Sequence, residues 1–426
     1  MEPGEYVHEL QLTPIVSKTY ECPMEVWAPL LTRALRLMPN IRTVIISNYT
    51  EEIALHSPDF AFSLLSRPLL TWLELRYVGI VASDQLGQAM AYSQSMRRSA
   101  VLERVTFVNK GERMELVANK GIGSILFHSR ECLTHIELHS YDLDAVLVGD
   151  GRVPLEDDQN RPIDLAPVIF PNVTSLSIPW CEASLERVSK SFPALRSLTF
   201  GSDSYPDTVN TPFHIIPFPH LTSVEGFQKQ LEPSLQSISS PSLHHVSMDA
   251  TWRSDGSWSV SPFLSLRVIP SLRSLKFTYC FSMPDAWWKG LDVIMPHLKY
   301  LSLRLEVNIK EDVDVLSIQL NTVPAGLAYL PLAYVSIYII GTAEDIGDKA
   351  DPYIQSRFTE GAIAYSYAKY IRTLEYIDVC KEINSKPGPV TWWSAVHKVS
   401  VNQYVEVEAL EPSKGMVVRD RYNLEL

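Results

Sequence analysis

The apolar positions of this chain recur in one short phrase, cleanest as Pro-x-Leu-x-x-Leu-x-Leu. It reads PNIRTVII from Pro39, PLLTWLEL from Pro68, PNVTSLSI from Pro171, PALRSLTF from Pro193, PHLTSVEG from Pro219, PSLHHVSM from Pro241, PSLRSLKF from Pro270 and PHLKYLSL from Pro296. Weaker copies begin at Val7 (VHELQL), Leu102 (LERVTF), Leu133 (LTHIEL), Ile371 (IRTLEY) and Val396 (VHKVSV), and PLAYVSI at Pro331 is shifted by one residue. Counted from the first leucine, positions one, four and six are apolar, whereas three, five and seven are mostly small or polar. Alternation of this kind predicts a strand with one buried face and one polar face.

Between the copies the apolar spacing turns helical, over Glu25 to Met38, Asp84 to Ser99, Glu182 to Phe192, Trp287 to Met295 and Tyr353 to Tyr370. Several of these stretches begin beside Asp, Ser or Pro, as helices do. The phrase-leading proline stops the preceding helix and holds the entry to the strand extended. A single helix and strand cannot bury their apolar faces alone, so successive units must stack side by side. The prediction is an α/β solenoid, a horseshoe of about fourteen units with a parallel inner sheet and outer helices, spanning residues 1–402. Residues 403–426 are expected to cap it as a hairpin: QYVEVEAL, a turn at Glu411 to Gly415, and a return strand MVVR at Met416 to Arg419. Tyr141 to Pro167, rich in carboxylates, and Gly201 to Pro219, rich in turn residues, are expected as rim insertions. The carboxylates of the first lack the ligand order of a calcium loop and predict a solvated acidic segment.

The phrase and its long, uneven intervals resemble the leucine-rich-repeat portion of fungal F-box proteins. YVHELQL resembles the repeat that follows the F-box and its linker, and Trp392-Trp393 with the valine-rich ending resembles the family's C-terminal end. The resemblance implies the substrate-recognition half of a ubiquitin-ligase receptor. Skp adaptor and cullin are implied as partners only where an F-box, absent before Tyr6 in this sequence, is supplied upstream. The alternative expectation is a free-standing repeat scaffold or inhibitor with no ubiquitin role.

Composition narrows the partners. With 37 Lys plus Arg against 49 Asp plus Glu, the net charge of −12 repels nucleic-acid phosphates and anionic lipids. No apolar run reaches membrane-spanning length, and the first residues lack the pattern of a secretory signal, so an intracellular protein is expected. Cys22, Cys132, Cys181, Cys280 and Cys380 are scattered and contain no C-x-x-C pair, which predicts reduced thiols rather than a disulfide framework or zinc ribbon.

No phosphate-binding glycine motif, H-E-x-x-H or G-x-S-x-G occurs, and the expectation is a non-enzyme without cofactor. His135, Glu137 and His139 are two apart and so share one strand face. They are expected as an ordinary polar face rather than a metal site, although zinc or iron(II) would suit two imidazoles and a carboxylate. Positions three, five and seven lay out a low hydroxyl floor that includes Thr43, Thr106, Ser175, Ser197, Ser336, Thr373 and Ser400. Above it Trp72, Glu74, Arg76, Lys276, Tyr300, Arg304, Tyr334 and Tyr338 are expected to rise as exposed anchors for an unidentified protein target, with His135, Glu137 and His139 beside them.

Overall fold

A computed structural model describes residues 7–12, 23–95, 100–111, 113–118, 120–147, 167–181, 183–200, 215–250, 262–280, 285–306, 321–341, 359–383, 386–387, 389–398 and 404–424. The fold is mixed α/β, built on an open, mostly parallel sheet with helices. The chain divides into two compact units, residues 1–221 with 238–240 and residues 222–237 with 241–426.

In the first unit the strands of the main sheet are β1 (Glu9–Leu12), β2 (Thr43–Ile46), β3 (Trp72–Val78), β4 (Arg104–Asn109), β5 (His135–His139), β6 (Ser175–Ile178) and β7 (Ser197–Phe200). They lie in chain order and all pair parallel. Phrase position two carries the link from copy to copy. The N–H of Thr71 donates to the Arg42 carbonyl, Glu103 to Thr71, Thr134 to Glu103, Thr174 to Thr134 and Arg196 to Thr174, each at 2.8–2.9 Å. Positions one, four and six form the buried face, as in Leu70, Leu73 and Leu75 or Leu133, Ile136 and Leu138.

Helices α1 (Met24–Arg36), α2 (Thr50–His56), α3 (Phe60–Leu65), α4 (Ile80–Ser95), α5 (Gly121–Ser129), α6 (Asp144–Leu147) and α7 (Leu185–Ser191) connect these strands. Helix α1 buries Ala28, Leu31, Thr32 and Leu35, the spacing of one helical face. Helices α4 and α5 touch through glycine: a Cβ on Gly87 would lie 2.5 Å from the Gly121 nitrogen, and Gly121 has φ +51°. The start of α4 is satisfied from another helix. The buried Glu51 carboxylate accepts from the N–H groups of Gly79 (3.0 Å), Val81 (3.1 Å) and Ala82 (2.9 Å), which would otherwise be orphaned at a helix N-terminus.

In the second unit, β8 (Ser223–Phe227), β9 (His245–Asp249), β10 (Ser274–Cys280), β11 (Tyr300–Glu306), β12 (Tyr334–Gly341) and β13 (Tyr376–Ile383) continue the parallel pattern. Helices α8 (Gln228–Ser237), α9 (Leu291–Ile294) and α10 (Glu360–Tyr370) belong to the same unit. The core between β10 and the helical side holds Phe263, Phe277 and Trp288, whose ring centroids lie 4.8–6.4 Å apart. The parallel pattern then stops: β14 (Thr391–Lys398) pairs antiparallel with β13, and β15 (Tyr404–Leu410) pairs antiparallel with β14.

Helices form over much of Glu25 to Met38, Glu182 to Phe192 and the described part of Tyr353 to Tyr370, whereas the one expected at Asp84 to Ser99 begins four residues earlier at Ile80, and Trp287 to Met295 holds the short α9 after a turn at Gly290. Three readings near the C-terminus are corrected. Val396 opens no repeat copy, because it lies inside the antiparallel strand β14. The copy placed at Ile371 is three residues out of register: the N–H of Glu375 donates to Ala333, so Leu374 is position one and Asp378 position five. Thr373 therefore leaves the polar floor and donates to the Leu332 carbonyl at 2.8 Å. The capping hairpin is also corrected. Strand β15 forms as expected, but its return strand is replaced by helix α11 (Pro412–Leu424), which begins with proline at its first helical position. Ser400 and residues 148–166 and 201–214 lie outside the described residues.

Candidate functional site

The strand register places phrase position three in a row. In the first unit that row runs Thr43, Trp72, Arg104, His135, Ser175, Ser197, and the position-five row beside it runs Ile45, Glu74, Thr106, Glu137, Ser177, Thr199. Parallel neighbours are about 4.8 Å apart, so side chains along a row touch. The Arg104 guanidinium lies 4.6 Å from the centroid of the half-buried Trp72 ring, a cation–π contact. Arg76 donates to Glu74 at 2.8 Å, Thr106 to Glu137 at 3.3 Å, and His139 Nε2 lies 2.7 Å from a Glu137 oxygen.

These contacts set the electrostatics. The hydrogen bond from His139 holds the Glu137 carboxyl below the usual range, against the opposing effect of burial. Burial, with the Arg104 charge beside it, lowers His135, whose Nδ1 lies 2.8 Å from Thr134 Oγ1. His135 is therefore neutral near pH 7, and the central cation of the row is Arg104. Among the described residues no group of three or more His, Cys, Asp or Glu side chains is placed to hold a metal ion.

Where the strands of this unit end, the backbone turns through the left-handed region. Tyr49 (φ 66°), Tyr77 (φ 58°), Ser140 (φ 64°) and Trp180 (φ 62°) adopt it, and the three aromatic side chains are exposed. A non-glycine residue there costs on the order of 1–3 kcal/mol and needs surrounding structure to hold it. Tyr49, Tyr77 and Trp180 thus present large exposed aromatic side chains at or near the strand ends.

The second unit repeats the rows with different content. Position three runs Ser223, His245, Ser274, Tyr300, Tyr334, Tyr376, and position five runs Glu225, Ser247, Lys276, Ser302, Ser336, Asp378. Lys276 and Arg304 are exposed as expected, and Arg304 lies over the Tyr338 ring at 5.5 Å. Tyr338 donates to Glu382 at 2.5 Å, and that bond pushes its hydroxyl up to about 12.

Tyr300 and Tyr334 are not exposed anchors. They are 8% and 0% accessible: Tyr422 of helix α11 packs against the Tyr334 ring, and Tyr334 in turn packs against Tyr300. The Tyr334 ring is packed between Tyr300 and Tyr422, with centroids 5.3 Å from each, and its hydroxyl donates to Asp378 at 2.8 Å.

Sequence reasoning missed Arg104, although it occupies position three of a weak copy, the place held by Trp72 and His135 in the neighbouring ones. It missed Tyr49, Tyr77 and Trp180 because positive φ leaves no mark in a hydrophobic pattern. Comparison with family models finds no match, and neither does comparison with curated proteins.

Proposed function

We propose that this chain is a leucine-rich-repeat solenoid that binds another protein without catalysis, as the substrate-recognition part of an F-box-type ubiquitin-ligase receptor. The observation that carries the binding reading is the position-three row Trp72–Arg104–His135. Trp and Arg are the side chains that most often dominate protein interfaces, and here they are stacked, partly exposed and mounted on rigid strands. The exposed aromatic side chains of Tyr49, Tyr77 and Trp180 are further candidates for contact area in this unit. The non-catalytic reading is supported by the saturation of the ionisable groups: Glu74 is spent on Arg76 and Glu137 on His139 and Thr106. A chain of net charge −12 selects a protein target over nucleic acid or an anionic membrane. Among the described residues no helix is long and apolar enough to cross a membrane.

The test is affinity purification of the full-length protein, wild type and with Trp72→Ala plus Arg104→Ala, followed by identification of what is retained. The reading expects a specific protein that is lost with the double variant at a nearly unchanged melting temperature, together with recovery of Skp and cullin where an F-box is supplied upstream of this chain. Retention of the target by the double variant would move the interface elsewhere. A target recovered without Skp or cullin even with an upstream F-box would leave a free-standing scaffold.

A further inference from the structure

The polar face of the second unit ends at a carboxylate that is almost fully enclosed. Asp378 is 1% accessible and accepts from Tyr334 Oη (2.8 Å), Ser336 Oγ (3.2 Å) and the Arg419 guanidinium of helix α11. Around this ion pair α11 makes a short list of complementary contacts. The Arg419 guanidinium lies 5.6 Å from the Trp392 centroid, Tyr422 packs on Tyr334 and Tyr376 and donates to Glu375 at 3.0 Å, and Gly415 rests on the Trp392 indole. A Cβ on Gly415 would fall 2.1 Å from Trp392 Cγ, so only glycine permits this approach.

Much of the remaining helix surface is in water. From Glu411 to Tyr422 only Gly415 is buried, and the apolar side chains of Met416 and Val417 are 52% and 68% exposed. An isolated helix of about 13 residues is marginal in water, so α11 depends on its contacts with this face. Those contacts leave one buried group unsatisfied: the Trp392 indole N–H has no acceptor among the described residues. The charges are complementary, with Lys414, Arg419 and Arg421 against Asp420 on the helix and Glu375 and Asp378 beneath it.

We propose that the face formed by Tyr334, Ser336, Asp378 and Trp392 is an arginine-recognising docking site, that α11 is its displaceable internal occupant, and that a partner protein enters it with a helical segment carrying arginine and, three residues on, an aromatic side chain. The planar guanidinium meets a fixed carboxylate on one side and an indole face on the other, which lysine cannot reproduce. The competing helix is tethered to the site by β15, so its high effective concentration weakens every outside ligand until it is released. This goes beyond the reading of the first unit and does not depend on it.

The experiment uses the full chain and a fluorescently labelled peptide of residues 411–424, read by anisotropy. Wild type should bind it weakly. Gly415→Val, which forces α11 off the indole, should bind it at least tenfold more tightly and should become cleavable by trypsin at Arg419 and Arg421. Affinity should fall at least tenfold when the peptide carries Arg419→Ala, or when Asp378→Asn is added to the released protein. If Gly415→Val fails to fold, Arg419→Ala in the full chain releases the helix without added volume and takes its place. Equal affinity of wild type and released protein, or binding indifferent to the peptide's arginine, would overturn the proposal and leave α11 as a fixed cap.

Discussion

Trp72 and Tyr334 occupy the same position of the same phrase, on strands of the same kind, and meet different surroundings. Trp72 in the first unit is partly in water, with Arg104 lying against it. Tyr334 in the second is completely covered, its hydroxyl committed to Asp378 and its ring packed between two other tyrosines. Phrase position decides which face of the sheet a side chain leaves from. Whether water reaches the side chain is decided by what packs on it, for Tyr334 the rings of Tyr300 and of Tyr422 from helix α11.

The sharpest way to break this comparison is to truncate both side chains. Tyr334→Ala should destabilise by about 3–5 kcal/mol, the cost of deleting a large buried ring, whereas Trp72→Ala should cost about 1 kcal/mol or less, as for a partly exposed contact. Chemical denaturation of the two variants measures both, and equal losses would remove the distinction between an open and a covered face. The buried side of the sheet should show no such asymmetry. Leu198 and Leu275 hold position four in the two units at 0% accessibility, and Leu→Ala at either should cost about 2–5 kcal/mol.

Helix starts offer a smaller contrast. Glu51→Gln in the first unit replaces an acceptor of three backbone N–H bonds and should cost about 1–3 kcal/mol. In the second unit the Thr359 hydroxyl caps α10 by accepting from Ala362 at 3.2 Å in an exposed setting, and Thr359→Ala should cost about 1 kcal/mol or less. Thermal melts of the pair measure how far a buried acceptor of three bonds outweighs an exposed cap of one.

The smallest effect is on pH dependence. Burial lowers His128 and His135 in the first unit and His245 in the second, so the unfolded chain binds protons at these sites before the folded one does. Their stabilising contribution is complete above the ordinary histidine value of 6.5 and is lost as pH falls from there through the lowered folded values. Denaturation midpoints between pH 7 and 5 should decline, and His245→Asn should flatten the part of the decline that belongs to the second unit. An unchanged slope would show that His245 keeps its ordinary proton affinity when folded.

Much of the fold was legible because the repeat imposes period two on the strands and spaces them with helices. Position-one residues from Ile41 to Leu332 are buried where the phrase places them, and the pairing of Leu275 with Leu301 keeps phrase positions aligned. The reading failed where the period failed. At Ile371 a chance match three residues early displaced the register and hid Asp378. At Val396 alternation described a real strand, but alternation carries no direction and cannot distinguish parallel from antiparallel pairing. At Met416 to Arg419 three apolar residues in four suggested a return strand, yet the helix that forms there leaves Met416 and Val417 in water and is held by Gly415, Arg419 and Tyr422.

By itself the sequence determined the two faces of the strands, their order and the leucines between them, because these follow from local periodicity and the need to bury apolar surface. It also placed Trp72, Glu74, Glu137 and Arg304 on the polar face. Only the tertiary structure decided which part of that face stays open, because the choice rests on contacts between residues far apart in the chain: Arg419 with Asp378 across 41 residues, and Tyr422 with Glu375 across 47. Such pairs depend on shape and charge meeting in space, and neither residue's neighbours along the chain carry a sign of the other.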